Sequence, residues 1–231
     1  MTGKRVKMKK YTMLGATLAV FALLGIIESP VHGADASSFP QQIELYDVVL
    51  TYPQPAWITG DIDPEKLLDR SEFYRNHAGS QFVLEQIPVG QAFESWMSLY
   101  AVTAEEFGVR QKASMGDFID LAAEQNGLAC AEGEFGVQTL NLTETDSMLA
   151  MVCGSTAGGP TNVGYGPDVG EVSVWRFLIY EDTYVKVYQR WRGGAFGIDD
   201  RDDWPVTEAE LQEMVRRMTE IIEIVPSSLA R

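Results

Sequence analysis

The residues best placed to do chemistry in this chain alternate along one segment. Tyr184, Lys186, Tyr188, Arg190 and Arg192 fall on every second position of an extended stretch, so on a strand they share one face, while Val185, Val187 and Trp191 share the other. Cations interleaved with aromatics suit a carboxylate, a sugar acid or an acidic peptide, because a guanidinium presents a planar fork to two oxygens. The competing reading is structural. Long basic side chains also lay their stems over a sheet while their heads pair with nearby carboxylates. Asp199, Asp200, Asp202 and Asp203 offer hard oxygen ligands for calcium, but their spacing is not that of a calcium loop and Arg201 sits among them. An exposed acidic loop before a helix is the plainer alternative. Glu85, Glu94 and Glu144 are the carboxylates from which acid-base catalysis would have to be built.

Other chemistries have less to work with. Gly-x-Ser-x-Gly, His-Glu-x-x-His, the phosphate-binding glycine loop and the dinucleotide fingerprint do not occur, so hydrolase, metalloprotease and nucleotide readings lose their usual carriers, and no cofactor is expected. Of the two histidines, His32 lies in the leader described below and His77 in a polar stretch. Any histidine-based triad would need His77 and a nucleophile that no motif marks.

The amino terminus gives the clearest signal. Lys4, Arg5, Lys7, Lys9 and Lys10 precede an apolar run from Tyr11 to Ile27, and small residues follow in VHGADAS, the three parts of an export signal. Residues 1–36 are therefore expected to be a removable leader, cut after Ala36 or near Gly33, and residues 37–231 a single domain in the periplasm or outside the cell. The uncleaved alternative is a membrane anchor, for which the run is short of the roughly 20 residues of a span. Cleavage takes five basic and two acidic residues with it and leaves 13 Lys and Arg against 31 Asp and Glu, a formal charge of −18. Such a surface repels phosphate backbones and anionic lipid, so no nucleic-acid partner is expected, and a membrane only through an uncleaved leader. Cys130 and Cys153, an even pair in a chain bound for an oxidising compartment, are expected to form a disulfide.

These groups have to be held by elements that the pattern suggests. Gln81 to Ile87 reads as a strand, Pro88 and Gly90 as a turn, and Gln91 to Phe107 as a helix, with Phe93, Trp96, Met97, Tyr100, Ala104 and Phe107 at three- and four-residue spacing. Earlier in the chain a strand is expected near 44–52, and a helix or helical loop from Asp63 to Gly79. Later, Ser114 with Asp117 opens a helix to Ala129. Phe135–Leu142 and Met148–Cys153 make one hairpin, Glu171–Tyr180 and Thr183–Arg192 another that brings Trp175 onto the basic-aromatic face. Residues 154–170, with six glycines and two prolines, read as a long loop. Thr207 with Glu210 caps a closing helix from Val206 to Val225 that Pro226 ends.

Glu85, Ile87, Pro88, Gly90, Gln91 and Trp96 spell E-x-I-P-x-G-Q-x-x-x-x-W, a pattern that resembles uncharacterised exported bacterial proteins related in fold to the PsbP-like sandwich. The likeness runs from about Ile43 to Val225. It implies an α+β architecture, an antiparallel sheet with helices packed on it, and accessory or binding roles rather than catalysis; it supplies no catalytic residues. The expected function is that of an exported, non-enzymatic accessory or binding protein whose partner is an envelope protein or a small anionic ligand. A carboxylate-based hydrolase and a calcium-dependent structural protein are the alternatives.

Overall fold

The computed structural model describes residues 41–59, 66, 69–107, 112–157 and 168–230. The leader at 1–36, the helix start at Asp63 and the middle of the glycine-rich loop lie outside them. In chain order the elements are β1 (Gln41–Leu45), β2 (Val48–Tyr52), β3 (Ser71–Ala78), β4 (Gln81–Pro88), β5 (Ser98–Glu106), α1 (Met115–Gly127), β6 (Phe135–Leu142), β7 (Asp146–Cys153), β8 (Val169–Tyr180), β9 (Thr183–Gly194), α2 (Glu208–Ile221) and β10 (Glu223–Pro226). A single turn of 3-10 helix at Arg201–Asp203 precedes α2. Seven strands form one antiparallel sheet in the order β3-β4-β5-β9-β8-β7-β6, and β1-β2-β10 form a second, smaller one. The α+β class expected from the pattern is what the chain adopts.

The large sheet is buried on both faces. Val102, Val174, Val185, Val187 and Trp191 point to one side, where they meet Leu45, Val48 and Leu50 of the small sheet and Met214 and Met218 of α2. Leu99, Ala101, Leu149, Met151, Phe177 and Tyr184 point to the other, against Met115, Phe118 and Ala122 of α1. Full burial of side chains of this size is worth about 1.5–3 kcal/mol each, so two such layers hold β5, β9 and β8 firmly at the centre.

This arrangement corrects the central expectation from the sequence. Residues 98–106 are strand β5, not a helix. Tyr100, Val102 and Ala104 enter one core and Leu99 and Ala101 the other, so apolar residues occupy consecutive positions and the alternation that marks a half-buried strand is lost. The stretch before it, residues 89–97, is a chain of turns started by Gly90 at φ +89°. Gln91 holds it in place, its Oε1 accepting from the backbone N–H of Met97 at 2.7 Å.

Three further elements differ. The strand expected near 44–52 is two strands joined at Tyr46-Asp47, with Tyr46 in the left-handed region at φ +57°. Residues 71–78 form edge strand β3 rather than part of a helix. Glu72 to Ala78 are all exposed, so β3 is held by its backbone ladder to β4 and carries no buried stripe. The closing helix stops at Ile221, and Glu223–Pro226 leave it to pair with β2. Ile-Ile-Glu-Ile-Val is rich in β-branched residues, which favour a pleated surface over a further helical turn.

The caps and hairpins follow expectation. Ser114 and Asp117 form a reciprocal capping box at α1, Thr207 and Glu210 another at α2. β8 and β9 pair in register from Val169–Gly194 to Tyr180–Thr183 around Glu181-Asp182. Cys130 and Cys153 are joined, with Cα atoms 5.7 Å apart.

Candidate functional site

The basic-aromatic face of β9 lies under α1. Because β9 is flanked by β5 and β8, the floor beneath the helix is laid by three strands. Thr103 is in register with Lys186, and Trp175 with Tyr188. Trp175 and Tyr188 stack at 4.0 Å between centroids, 22° from parallel, and the indole N–H of Trp175 donates to Ser173 Oγ at 2.7 Å. The facing turn of α1 presents Ala122, Gln125 and Asn126. An open cavity of about 310 Å³ lies between helix and sheet there, lined also by Thr103, Trp175, Lys186, Tyr188 and Arg190.

Among the described residues the cavity has two cations, and they are held differently. Arg190 is fixed. Its Nε donates to Glu171 Oε1 at 2.6 Å, its Nη2 to Asn126 Oδ1 at 3.3 Å, and its guanidinium lies 5.5 Å from the Trp96 ring and 5.8 Å from that of Trp175. Glu171 is shared, since its other oxygen accepts from Arg192 Nε at 3.0 Å, and Arg192 sits 3.4 Å over Trp96. The turns begun at Gly90 thus have a role: they deliver Trp96 as the apolar plate against which both guanidinium groups rest. Lys186 is held more loosely, with Nζ 3.7 Å from Glu105 and 5.5 Å from the Phe118 ring. Burial holds the Lys186 ammonium below its usual range, against the opposing pull of Glu105. Behind Arg190 a second space of about 10 Å³ reaches the disulfide.

No family model matches the chain, and no curated protein matches it. Two solved structures follow a similar chain course. One is a mutant of the protein Mog1, 12% identical, covering 83% of this chain and 99% of its own, with a TM-score of 0.42. The other is the Saccharomyces cerevisiae Ran-binding protein Mog1p, 13% identical, covering 84% and 99%, with a TM-score of 0.43.

Of the six residues singled out on the basic-aromatic face, Trp175, Lys186, Tyr188 and Arg190 line the cavity. Tyr184 and Arg192 do not. Tyr184 is buried beneath α1, where its hydroxyl donates to the Ala113 carbonyl at 2.7 Å, and Arg192 is the clamp on Glu171. Thr103, Gln125, Asn126 and Glu171 were not foreseen. Thr103 and Asn126 both fall in stretches whose spacing suggests helix, and Glu171 gains meaning only from the β8–β9 register that sets it opposite Arg192.

The other candidates stand apart. Glu85 on β4 shares the cavity's face, and burial raises its carboxyl above the ordinary range, partly offset by Arg190. Glu144 lies in the β6–β7 turn. Between β4 and β7 stand β5, β9 and β8, a distance of about 19 Å at 4.8 Å per strand, so Glu85 and Glu144 do not form a catalytic pair. Glu94 is exposed in the turns before β5. His77 belongs to β3 and lies against Tyr46 and Phe82 on the opposite face of the sheet. Asp199, Asp200, Asp202 and Asp203 surround the 3-10 turn, and among the described residues no three acidic, histidine or cysteine side chains converge on a metal position.

Proposed function

We propose that this chain is a non-enzymatic binding protein that holds a small anionic ligand in the cavity between α1 and the large sheet, and that it does so outside the cytoplasm once residues 1–36 are removed. The carrying observation is the lining. Lys186 and Arg190 flank a stacked Trp175–Tyr188 floor, and among the described residues the lining contains no carboxylate. A cavity of this size with a few convergent polar groups suits a small ligand, and a guanidinium beside an aromatic surface favours a carboxylate. Chemistry on that ligand would need an acid and a base converging on it, and the carboxylates named as candidates are far apart or exposed.

The test is calorimetric titration of the chain with benzoate and with benzamide, which has the same ring and no charge. Benzoate is expected to bind, benzamide at least about tenfold more weakly, and Arg190→Gln to remove the preference. Equal affinity for the two, or no heat with benzoate, rejects the reading.

A further inference from the structure

We infer that the ligand carries two separated negative charges joined by a flat apolar spacer, an elongated dicarboxylate; this rests on the anion-binding reading and narrows it. The spacing of the cations requires it. Lys186 and Arg190 are four residues apart on one extended strand, which puts their Cα atoms about 13 Å apart. Their heads do not bend toward each other. Lys186 reaches toward Glu105, whose register partner is Tyr184, one step beyond Lys186 on the same face. Arg190 reaches toward Glu171, whose register partner is Arg192, one step beyond Arg190 in the opposite direction. One carboxylate therefore cannot satisfy both.

Because the heads lean outward the span between them is no shorter than this, and subtracting two charge-assisted contacts of about 2.8 Å leaves at least about 7 Å between the ligand's outer oxygens. Between the cations lies Tyr188 stacked on Trp175, a surface that rewards a planar apolar body more than a hydrated chain. The Lys186 end has a further polar group. Thr103 Oγ1, in register with Lys186 and lining the cavity, is buried without a hydrogen-bond partner among the described residues. A carboxylate beside the ammonium would accept from it.

The experiment compares terephthalate, whose two carboxylates lie across the ring at this separation, with phthalate, which has the same charge on adjacent carbons, and with benzoate. Titrated against the full chain, terephthalate is expected to bind about tenfold or more tightly than either. Lys186→Gln is expected to remove that advantage and Lys186→Arg to keep it, with melting curves verifying that both variants fold. Phthalate binding as tightly as terephthalate, or an advantage that survives Lys186→Gln, overturns the two-charge inference and leaves the anion-binding reading standing. No heat with any of the three overturns both.

Discussion

Replacing Glu171 with Gln isolates the clamp that fixes Arg190. Glu171 is 5% exposed, and its carboxylate accepts from Arg190 Nε on one oxygen and from Arg192 Nε on the other. Glutamine keeps the shape but supplies one acceptor and turns an NH₂ toward a guanidinium, so a donor faces a donor, and buried Arg192 and half-buried Arg190 lose their shared counter-charge. Removing one partner from a buried ion pair costs about 3–5 kcal/mol. In a domain of this length each kcal/mol moves the melting temperature by about 2–4 °C, so the drop should be roughly 6–20 °C. The control is Glu220→Gln, which removes an exposed partner of Arg216; such pairs are worth at most about 1 kcal/mol. Thermal unfolding followed by circular dichroism at neutral pH reads both variants. Should Glu171→Gln melt within 2 °C of its parent, or no lower than the Glu220 variant, Glu171 does not anchor Arg190 and the fixed position of that arginine has another cause.

Two further outcomes are expected. The Cys130→Ser, Cys153→Ser double variant should lose about 3 kcal/mol in urea unfolding, the loop-closure value for a separation of 23 residues, and an unchanged midpoint would show that α1 keeps its position without the cross-link. Glu85→Gln should be more stable than its parent at pH 7 and equal to it near pH 3.5. Burial raises the folded-state carboxyl, so in the parent the folded form binds the extra proton and stability falls as pH climbs from the ordinary value of 4.5 through the raised one; a gain of the same size at both pH values contradicts this.

What could be read from the residues was local. Ser114 with Asp117, Thr207 with Glu210, the Glu181-Asp182 turn and the alternation after Thr183 each act within a few positions, and each has its expected geometry. The site needed information of another kind. Tyr184, Lys186, Tyr188, Arg190 and Arg192 were correctly placed on one face, but alternation says nothing of what covers a face, so burial of Tyr184 and Arg192 was not visible. Thr103 was hidden because β5 is apolar toward both cores. Asn126 and Glu171 come together with Arg190 from separations of 64 and 19 residues, and no short-range signal reports such a meeting.

The small sheet sets how the domain bears tension. β1 and β10 both run antiparallel to β2, one on each side of it, with Gln41 opposite Tyr52 and Pro226 opposite Val48. The two ends of the described chain therefore leave from opposite ends of the same three-stranded ribbon. A pull between them slides the strands lengthwise and strains the backbone bonds of both ladders together, where a pull across the ribbon would unzip them singly. Rupture then requires a concerted slip, which makes this ribbon the mechanical fastening of the fold and its unfolding rate, rather than its equilibrium stability, the measure of strength under load.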